Sequence, residues 1–349
     1  MPELTTSTGD ISARTTMHAV ADLLENGKPY MVFENIGKTV PMPKNKGVSP
    51  IFRRYSLFGS EPEDLQLEEG VTPVAEEMDS EDYPATLRQY GKLAKLTDVV
   101  QDTHEDPILK EMTKLLGQNA AELVEKVRFG VLKGGTNVYY TGTAAARGSV
   151  NAAMTKAVHD KVLIDLIVNR AAMVTETLRS TPAYGTQNIP RSFFGVCHPY
   201  FIPTYEAMDN FKKVEDYGSL SRFENEFGSL GRCRMLFSDV VQPWADAGGA
   251  KALSGTTMRS TSGTNCDVFP ILYFGANAFG TVPLKGYKAK NADGSNKYIS
   301  PVQLMVLNPN VPRGGDELGQ RGSIGYKLMM TACILHPLWM ARVEAPVAA

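Results

Sequence analysis

Glu61-Pro-Glu-Asp-Leu-Gln-Leu-Glu-Glu-Gly-Val-Thr-Pro-Val-Ala-Glu-Glu-Met-Asp-Ser-Glu-Asp82 is the stretch that decides how this chain is read. It holds ten acids, Glu61, Glu63, Asp64, Glu68, Glu69, Glu76, Glu77, Asp79, Glu81 and Asp82, and no lysine or arginine lies between Arg54 and Arg88. Strand-like runs flank it at residues 51–57 and 85–100, which predicts a hairpin with an acidic tip. Like charges and a shortage of apolar residues keep such a tip from collapsing onto its own subunit. It makes physical sense as an arm lying on a basic surface of another molecule. A solvated acidic loop is the other reading, and the sequence alone leaves both open. Arg53 and Arg54 stand where they could neutralise the root.

Working outward, the return run alternates with period two (Leu87, Gln89, then Leu93, Lys95) and breaks near Gly91, as at a bulge. The strongest helix signal follows at residues 106–133. Asp106 suits its cap and Pro107 its first turn, and Ile108, Met112, Leu115, Leu116, Leu123, Val127 and Val131 recur at steps of three and four. Gly134-Gly135 ends it. A second helix is expected at about 155–178. Further strands are expected at 193–196, 228–237 and 268–274, with a short helix near 205–211. Residues 244–267 form a Gly/Ser/Thr/Ala-rich loop. Residues 285–298 read as a basic hairpin (Lys285, Lys288, Lys290, Lys297) turning at 293–296, either a solvated turn or a contact site. Residues 322–343 read as one or two core strands. Before the hairpin, a short helical pattern (Met17, Val20, Ala21, Leu23, Leu24) precedes a Pro/Lys/Gly-rich arm at 37–50.

The 349 residues, 43% hydrophobic and 21% charged with a net charge of −2, suit a globular protein with a sizeable core. Holding nucleic acid by counterion release calls for a basic excess that this chain lacks. Four scattered cysteines without a C-x-x-C pair point to buried thiols in a reducing, cytoplasm-like compartment. The N-terminus lacks the basic and apolar regions of a secretory signal, and no run of ~18 apolar residues reads as a membrane span.

Catalytic and metal signatures are absent from the sequence. Cys197 and His198 are adjacent, so on a strand they face opposite sides. Cys233 and Cys266 lack zinc spacing. The acids contain no D-x-D-x-D-G array for calcium, and the glycines at 130–135 end a helix rather than build a phosphate loop. None of the five histidines joins a recognisable constellation. No catalytic residue, cofactor or metal is expected.

The order of arm, acidic hairpin, long helix, mixed α/β region and closing apolar strands carries a resemblance. Its pieces are Leu67-Glu-Glu-Gly-Val-Thr-Pro-Val, Ala85-Thr-Leu-Arg-Gln-Tyr-Gly, Leu96-Thr-Asp-Val-Val-Gln-Asp-Thr and Leu116-Gly-Gln-Asn-Ala-Ala-Glu-Leu. Further pieces are Lys133-Gly-Gly-Thr-Asn-Val-Tyr-Tyr, Val196-Cys-His-Pro, Phe227-Gly-Ser-Leu-Gly-Arg-Cys-Arg, Phe274-Gly-Ala-Asn-Ala-Phe-Gly and Gly325-Tyr-Lys with Ile334-Leu-His-Pro. The chain thereby resembles the major capsid proteins of the N-four-like podophage group, with the Hong Kong ninety-seven-type capsid fold.

That resemblance implies an α+β fold with an N-terminal arm (1–50), an extended E-loop hairpin (51–100) and a P-domain (101–185) with its spine helix at 106–133. A mainly A-domain region (186–320), including the loop 244–267 and the hairpin 285–298, and closing core strands (321–349) complete it. It implies a virion structural protein, assembled in the host cytoplasm into hexamers and pentamers of an icosahedral shell around double-stranded DNA. Sequence-specific DNA contacts and membrane contacts are not implied; a portal and a cement or decoration protein are the expected partners. An encapsulin-type compartment shell and an uncharacterised α/β enzyme are the alternatives. The intersubunit contact candidates are Glu61, Glu68, Glu69, Glu76, Glu77 and Asp79 on the arm. Receivers are sought among Arg53 and Arg54, the arm lysines Lys38, Lys44 and Lys46, and Lys126, Arg128 and Lys133 of the long helix.

Overall fold

The computed structural model describes residues 31–39, 51–55, 108–174, 191–217, 222–253, 256–281, 287–290, 296–299, 302–312 and 314–349, with residue 58 and most of 66–98. The helical pattern at 17–24, the arm at 40–50 and the acids Glu61, Glu63, Asp64 and Glu68 lie outside the described residues.

Along the chain come β1 (Lys38–Thr39), β2 (Ile51–Tyr55), β3 (Ser80–Pro84) and β4 (Arg88–Thr97), then the long helix α1 (Ile108–Leu132), β5 (Val138–Tyr140) and α2 (Lys156–Val168). Next are β6 (Phe193–Cys197), α3 (Ile202–Glu206), β7 (Phe211–Lys213), β8 (Glu226–Leu230), β9 (Cys233–Phe237), β10 (Ala252–Leu253) and β11 (Thr256–Thr257). The chain continues through β12 (Val268–Phe274), β13 (Phe279–Thr281), β14 (Tyr287–Lys290), β15 (Asn296–Ile299) and β16 (Val302–Leu307). It closes with β17 (Arg321–Met330), β18 (Ala332–Ile334) and β19 (Met340–Pro346).

Seven strands make the central sheet, in the order β5-β19-β12-β6-β9-β8-β7. Its middle strands are apolar on both faces, as expected where each face is covered. On one side Phe193, Phe269, Ile271, Tyr273, Ala341 and Val343 pack with Val162, Leu163 and Leu166 of α2 and Tyr205 of α3. On the other, Phe194, Leu272 and Phe274 pack with Val32, Phe33, Ile36 and the end of α1, Phe129 and Leu132. A second sheet, β16-β17-β4, lays one face on the middle of α1: Leu304, Ile324, Tyr326, Leu328 and Met330 meet Leu116, Ala120, Ala121 and Val124. The four-residue spacing of Leu116, Ala120 and Val124 makes that contact stripe. At 25 residues and 1.5 Å rise, α1 is a rod of about 38 Å that joins the two sheets.

Several expectations need correction. The hairpin partner of β2 is Ser80–Pro84, whereas β4 turns away and pairs with β17 along its whole length. The end of the acidic run, Ser80–Asp82, is strand, because Arg53 faces Asp82 and Arg54 faces Glu81 across it, and opposite charges stabilise such pairs. Gly91 is not a bulge: the β4–β17 register runs through it unbroken, and a Cβ there would sit 2.7 Å from the Tyr326 carbonyl oxygen. The second helix ends at Val168, ten residues short of expectation. Arg170 adopts the left-handed conformation (φ 55°), while its own and the Ala171 amides close back on Ile167 and Leu166. The short helix occupies 202–206, and Phe211–Lys213 is a strand paired with β8. The run at 228–237 is a tight hairpin of β8 and β9, and the loop at 244–267 carries the small β10–β11 ladder. The 285–298 hairpin forms as β14 and β15.

Candidate subunit interface

Among the described residues, the acidic arm is fixed at its root and exposed beyond it. Phe52 of β2 is buried against Ala85 and Leu335, and its ring fills the space that a Cβ on Gly280 would need. On the same short hairpin the Arg53 guanidinium donates to both Asp82 carboxylate oxygens, at 2.6 and 2.8 Å. Arg54 donates to Glu81 at 2.6 Å and its guanidinium lies 5.7 Å from the centre of the Tyr83 ring. Hydrogen bonding to Arg53 holds the exposed Asp82 carboxyl below its ordinary range. The expectation that Arg53 and Arg54 neutralise the root therefore matches the geometry, but the partners are in their own chain. Further out, Glu69, Glu76, Glu77 and Asp79 are exposed. So are Leu67 (71%) and Met78 (64%), which have no place in the subunit's own core.

The proposed receivers on α1 divide. Lys126 is exposed and pairs with Glu122 one turn earlier. Lys133 is exposed, with its ammonium 5.9 Å from the Phe129 ring centre and its carbonyl accepting from Arg342. Lys38 is exposed on β1. Arg128 is the correction: it is fully buried and unreachable by a neighbour. It donates to Glu125 at 2.8 Å and to Thr281 at 3.0 Å, with Glu34 at 3.6 Å. The Phe33 amide donates to Glu125 at 3.1 Å. The cluster staples residues 33–34 and β13 to α1. Opposite charges three apart on a helix look like a surface pair, so nothing local in the sequence distinguishes it.

The residues weighed for chemistry have structural work. Cys197 is buried on β6 with its thiol 3.7 Å from the Leu236 carbonyl, and burial pushes its ionisation up. His198 accepts a hydrogen bond from the Tyr200 amide, capping a helical turn, and burial lowers its basicity. Among the described residues, no three His, Cys, Asp or Glu side chains group as a metal site. The sequence reading missed two buried polar clusters. Glu344 takes Arg147 through two 2.7 Å bonds and Arg342 at 2.9 Å, with the Arg147 guanidinium 3.7 Å from the Trp244 ring centre. His159 contacts Tyr273 at 2.9 Å and the Leu230 carbonyl at 3.2 Å, and Tyr273 contacts Tyr205 at 2.8 Å. Residues of both clusters are scattered along the chain and only the fold unites them.

The arm is thus anchored at its root, with exposed acids and apolar side chains among its described residues beyond it. The sequence model of the phage capsid protein family matches residues 80–288, more than half of the chain, and the chain belongs to that family. Membership makes it a phage capsid component. It is 25% identical over 277 residues to the major capsid protein of Pseudomonas phage KPP21. The match covers 74% of this chain and 66% of that protein, just under two thirds of the relative's length. The fold resembles the capsid of Ralstonia phage GP4 with a TM-score of 0.60 at 12% identity, over 90% of this chain and 88% of that one. It also resembles the cyanophage Pam1 capsid asymmetric unit, with a TM-score of 0.55 at 10% identity over 92% of each chain. Among the described residues no helix is long and apolar enough to cross a membrane.

Proposed function

We propose that this chain is the major capsid protein of a phage of the N-four-like podophage group. In this reading it folds in the Hong Kong ninety-seven manner, and hexamers and pentamers of it close an icosahedral shell around double-stranded DNA in the host cytoplasm. Residues 1–50 serve as the N-terminal arm, 51–100 as the E-loop region, 101–185 as the P-domain with α1 as its spine, 186–320 mainly as the A-domain and 321–349 as closing strands. A portal, and a cement or decoration protein, are the partners. The observation that carries the reading is the β2–β3 hairpin, stapled at its root while its exposed acids, Leu67 and Met78 have no place in the subunit's own core. Such an arm enlarges the area that each subunit shares with its neighbours beyond what compact bodies could bury. The contact candidates Glu61, Glu68, Glu69, Glu76, Glu77 and Asp79 lie across the neighbouring subunit of the same ring.

Electron microscopy of the purified protein tests this directly. Closed shells built of rings of five and six are expected. A protein that stays monomeric at every concentration and salt condition, with residues 61–82 packed within their own chain, overturns the reading.

A further inference from the structure

We infer that Glu34, Glu125 and Arg128 form a proton-operated latch, which clamps residues 31–39 onto α1 while it holds one proton and loosens them when that proton leaves. The device lies within one subunit and is independent of the assembly role proposed for the chain. Everything N-terminal of Met31 enters the folded body through this stretch. It makes a single helical turn, Phe33–Asn35, and then β1, which has only two residues and pairs Lys38 and Thr39 with Gly280 and Thr281 of β13. Val32, Phe33 and Ile36 are buried against the end of α1, so the latch modulates an anchor that apolar packing already provides.

Charge is out of balance in this cluster. Two carboxylates and one guanidinium meet where water is almost excluded: Glu125 and Arg128 are fully buried and the Glu34 side chain is 11% exposed. One guanidinium cannot neutralise two carboxylates, and an uncompensated buried charge is costly. Glu34 is the carboxylate left over. Glu125 accepts from Arg128 Nη1 at 2.8 Å and from the Phe33 amide at 3.1 Å. Arg128 Nε donates to the Thr281 hydroxyl at 3.0 Å. Glu34 Oε2 and Arg128 Nη2 stand 3.6 Å apart, too far to hydrogen-bond, and both atoms are buried without a hydrogen-bond partner. A proton shared by the two carboxylates removes the excess charge. Burial pushes the Glu125 carboxyl up, against the opposing pull of Arg128 and the backbone amides, as suits a site that takes up a proton. From the other elements packed here, β13 brings the uncharged Thr281 hydroxyl, and Lys38 of β1 is exposed. The sign follows. A carboxyl raised in the closed latch favours closure fully below the ordinary carboxylate range, and that gain is lost as pH rises through the raised value.

Hydrogen exchange of the full-length chain, kept dilute and unassembled, tests this by mass spectrometry at pH 5 and pH 8, with labelling times scaled for the intrinsic rate. In peptides spanning residues 31–39, protection is expected to be about tenfold lower at pH 8 than at pH 5, the effect of displacing proton binding by one pH unit. Peptides from β6 and β12 should not fall with it. Glu34→Gln leaves one carboxylate against one guanidinium, so its protection at the two pH values should agree to within about twofold. Equal protection at both pH values in the unaltered chain, a change of opposite sign, or a tenfold difference that survives in Glu34→Gln overturns the latch. A loss at pH 8 shared equally by β6 and β12 is global unfolding and overturns it too. Should the variant not fold, the unaltered chain still decides through the sign of its change and its confinement to residues 31–39.

Discussion

His159 makes the subunit's stability depend on pH in a predictable direction. Its ring is wholly buried on the inner face of α2, and burial lowers its pKa from 6.5 to about 4. The Leu230 carbonyl can only accept, so Nε2–H donates to it. Nδ1 is therefore the acceptor for the Tyr273 hydroxyl, which in turn accepts from Tyr205. Protonating Nδ1 would break this chain of donors, so the folded subunit holds a neutral imidazole while the unfolded chain binds a proton at the ordinary value. Between pH 6.5 and about 4 the unfolded state binds more protons, and stability falls as pH drops through that window. A depression of this size corresponds to about 3 kcal/mol. His159→Gln keeps one donor and one acceptor in similar places and cannot titrate. Urea unfolding of dilute, unassembled subunit, followed by circular dichroism from pH 7 to pH 4, should show the original chain losing about 3 kcal/mol more than the variant over that range. If the two curves run parallel to within ~1 kcal/mol, the buried imidazole does not control the effect and the reasoning is wrong.

Arg128→Ala should destabilise the subunit by roughly 3–5 kcal/mol, because it strands the buried Glu125 carboxylate, while Lys126→Ala should change stability by at most ~1 kcal/mol; equal urea midpoints for the two variants would contradict the buried cluster. The Asp82 carboxyl titrates below its ordinary range, so the β2–β3 root should keep its Arg53 pair above that range and lose it as pH falls through the lowered value. Faster amide exchange at residues 51–55 only at such low pH is the expected signature. Since no lysine lies between Lys46 and Lys92, the arm offers no amine for an isopeptide bond, and boiled shells should run as a single monomer band. A ladder of covalent oligomers would refute that. Glu76→Gln, Glu77→Gln and Asp79→Asn together should blunt the loosening of shells expected near 1 M salt, where the Debye length is ~3 Å; an unaltered salt response would make the arm a solvated loop.

Much of the fold is legible in the sequence where pattern and burial coincide. Helix α1 is found within two residues because its apolar stripe is long and Gly134-Gly135 stops it, and β12 because seven consecutive buried residues allow little else. Elsewhere the decisive physics is not local. Strand β3 hides in an acidic run whose partners, Arg53 and Arg54, are nearly thirty positions away. Helix α2 stops at a left-handed arginine where a glycine would have announced the end. Leu115 fits the periodic stripe of α1 and is nonetheless 62% exposed, while Arg128, a cation on the same helix, is buried. Period-two patterning says which residues share a face but not which strand lies alongside, so the pairing of β4 with β17 was out of reach. The arm's acidity was legible from charge alone. Its root pairs were half foreseen.

Strand β19 sets a condition on when this subunit can be completed during synthesis. It lies between β5 and β12 in the central sheet and supplies Ala341, Val343 and Ala345 to the core under α2. Its neighbour β5 leaves the ribosome some two hundred residues earlier, and at ~5–20 residues per second that is a wait of about 10–40 s with one edge of the sheet unfilled. A chain cut short before residue 340 cannot finish this core. A late keystone strand is thus a form of quality control: translation fragments lack the folded body that the complete chain presents.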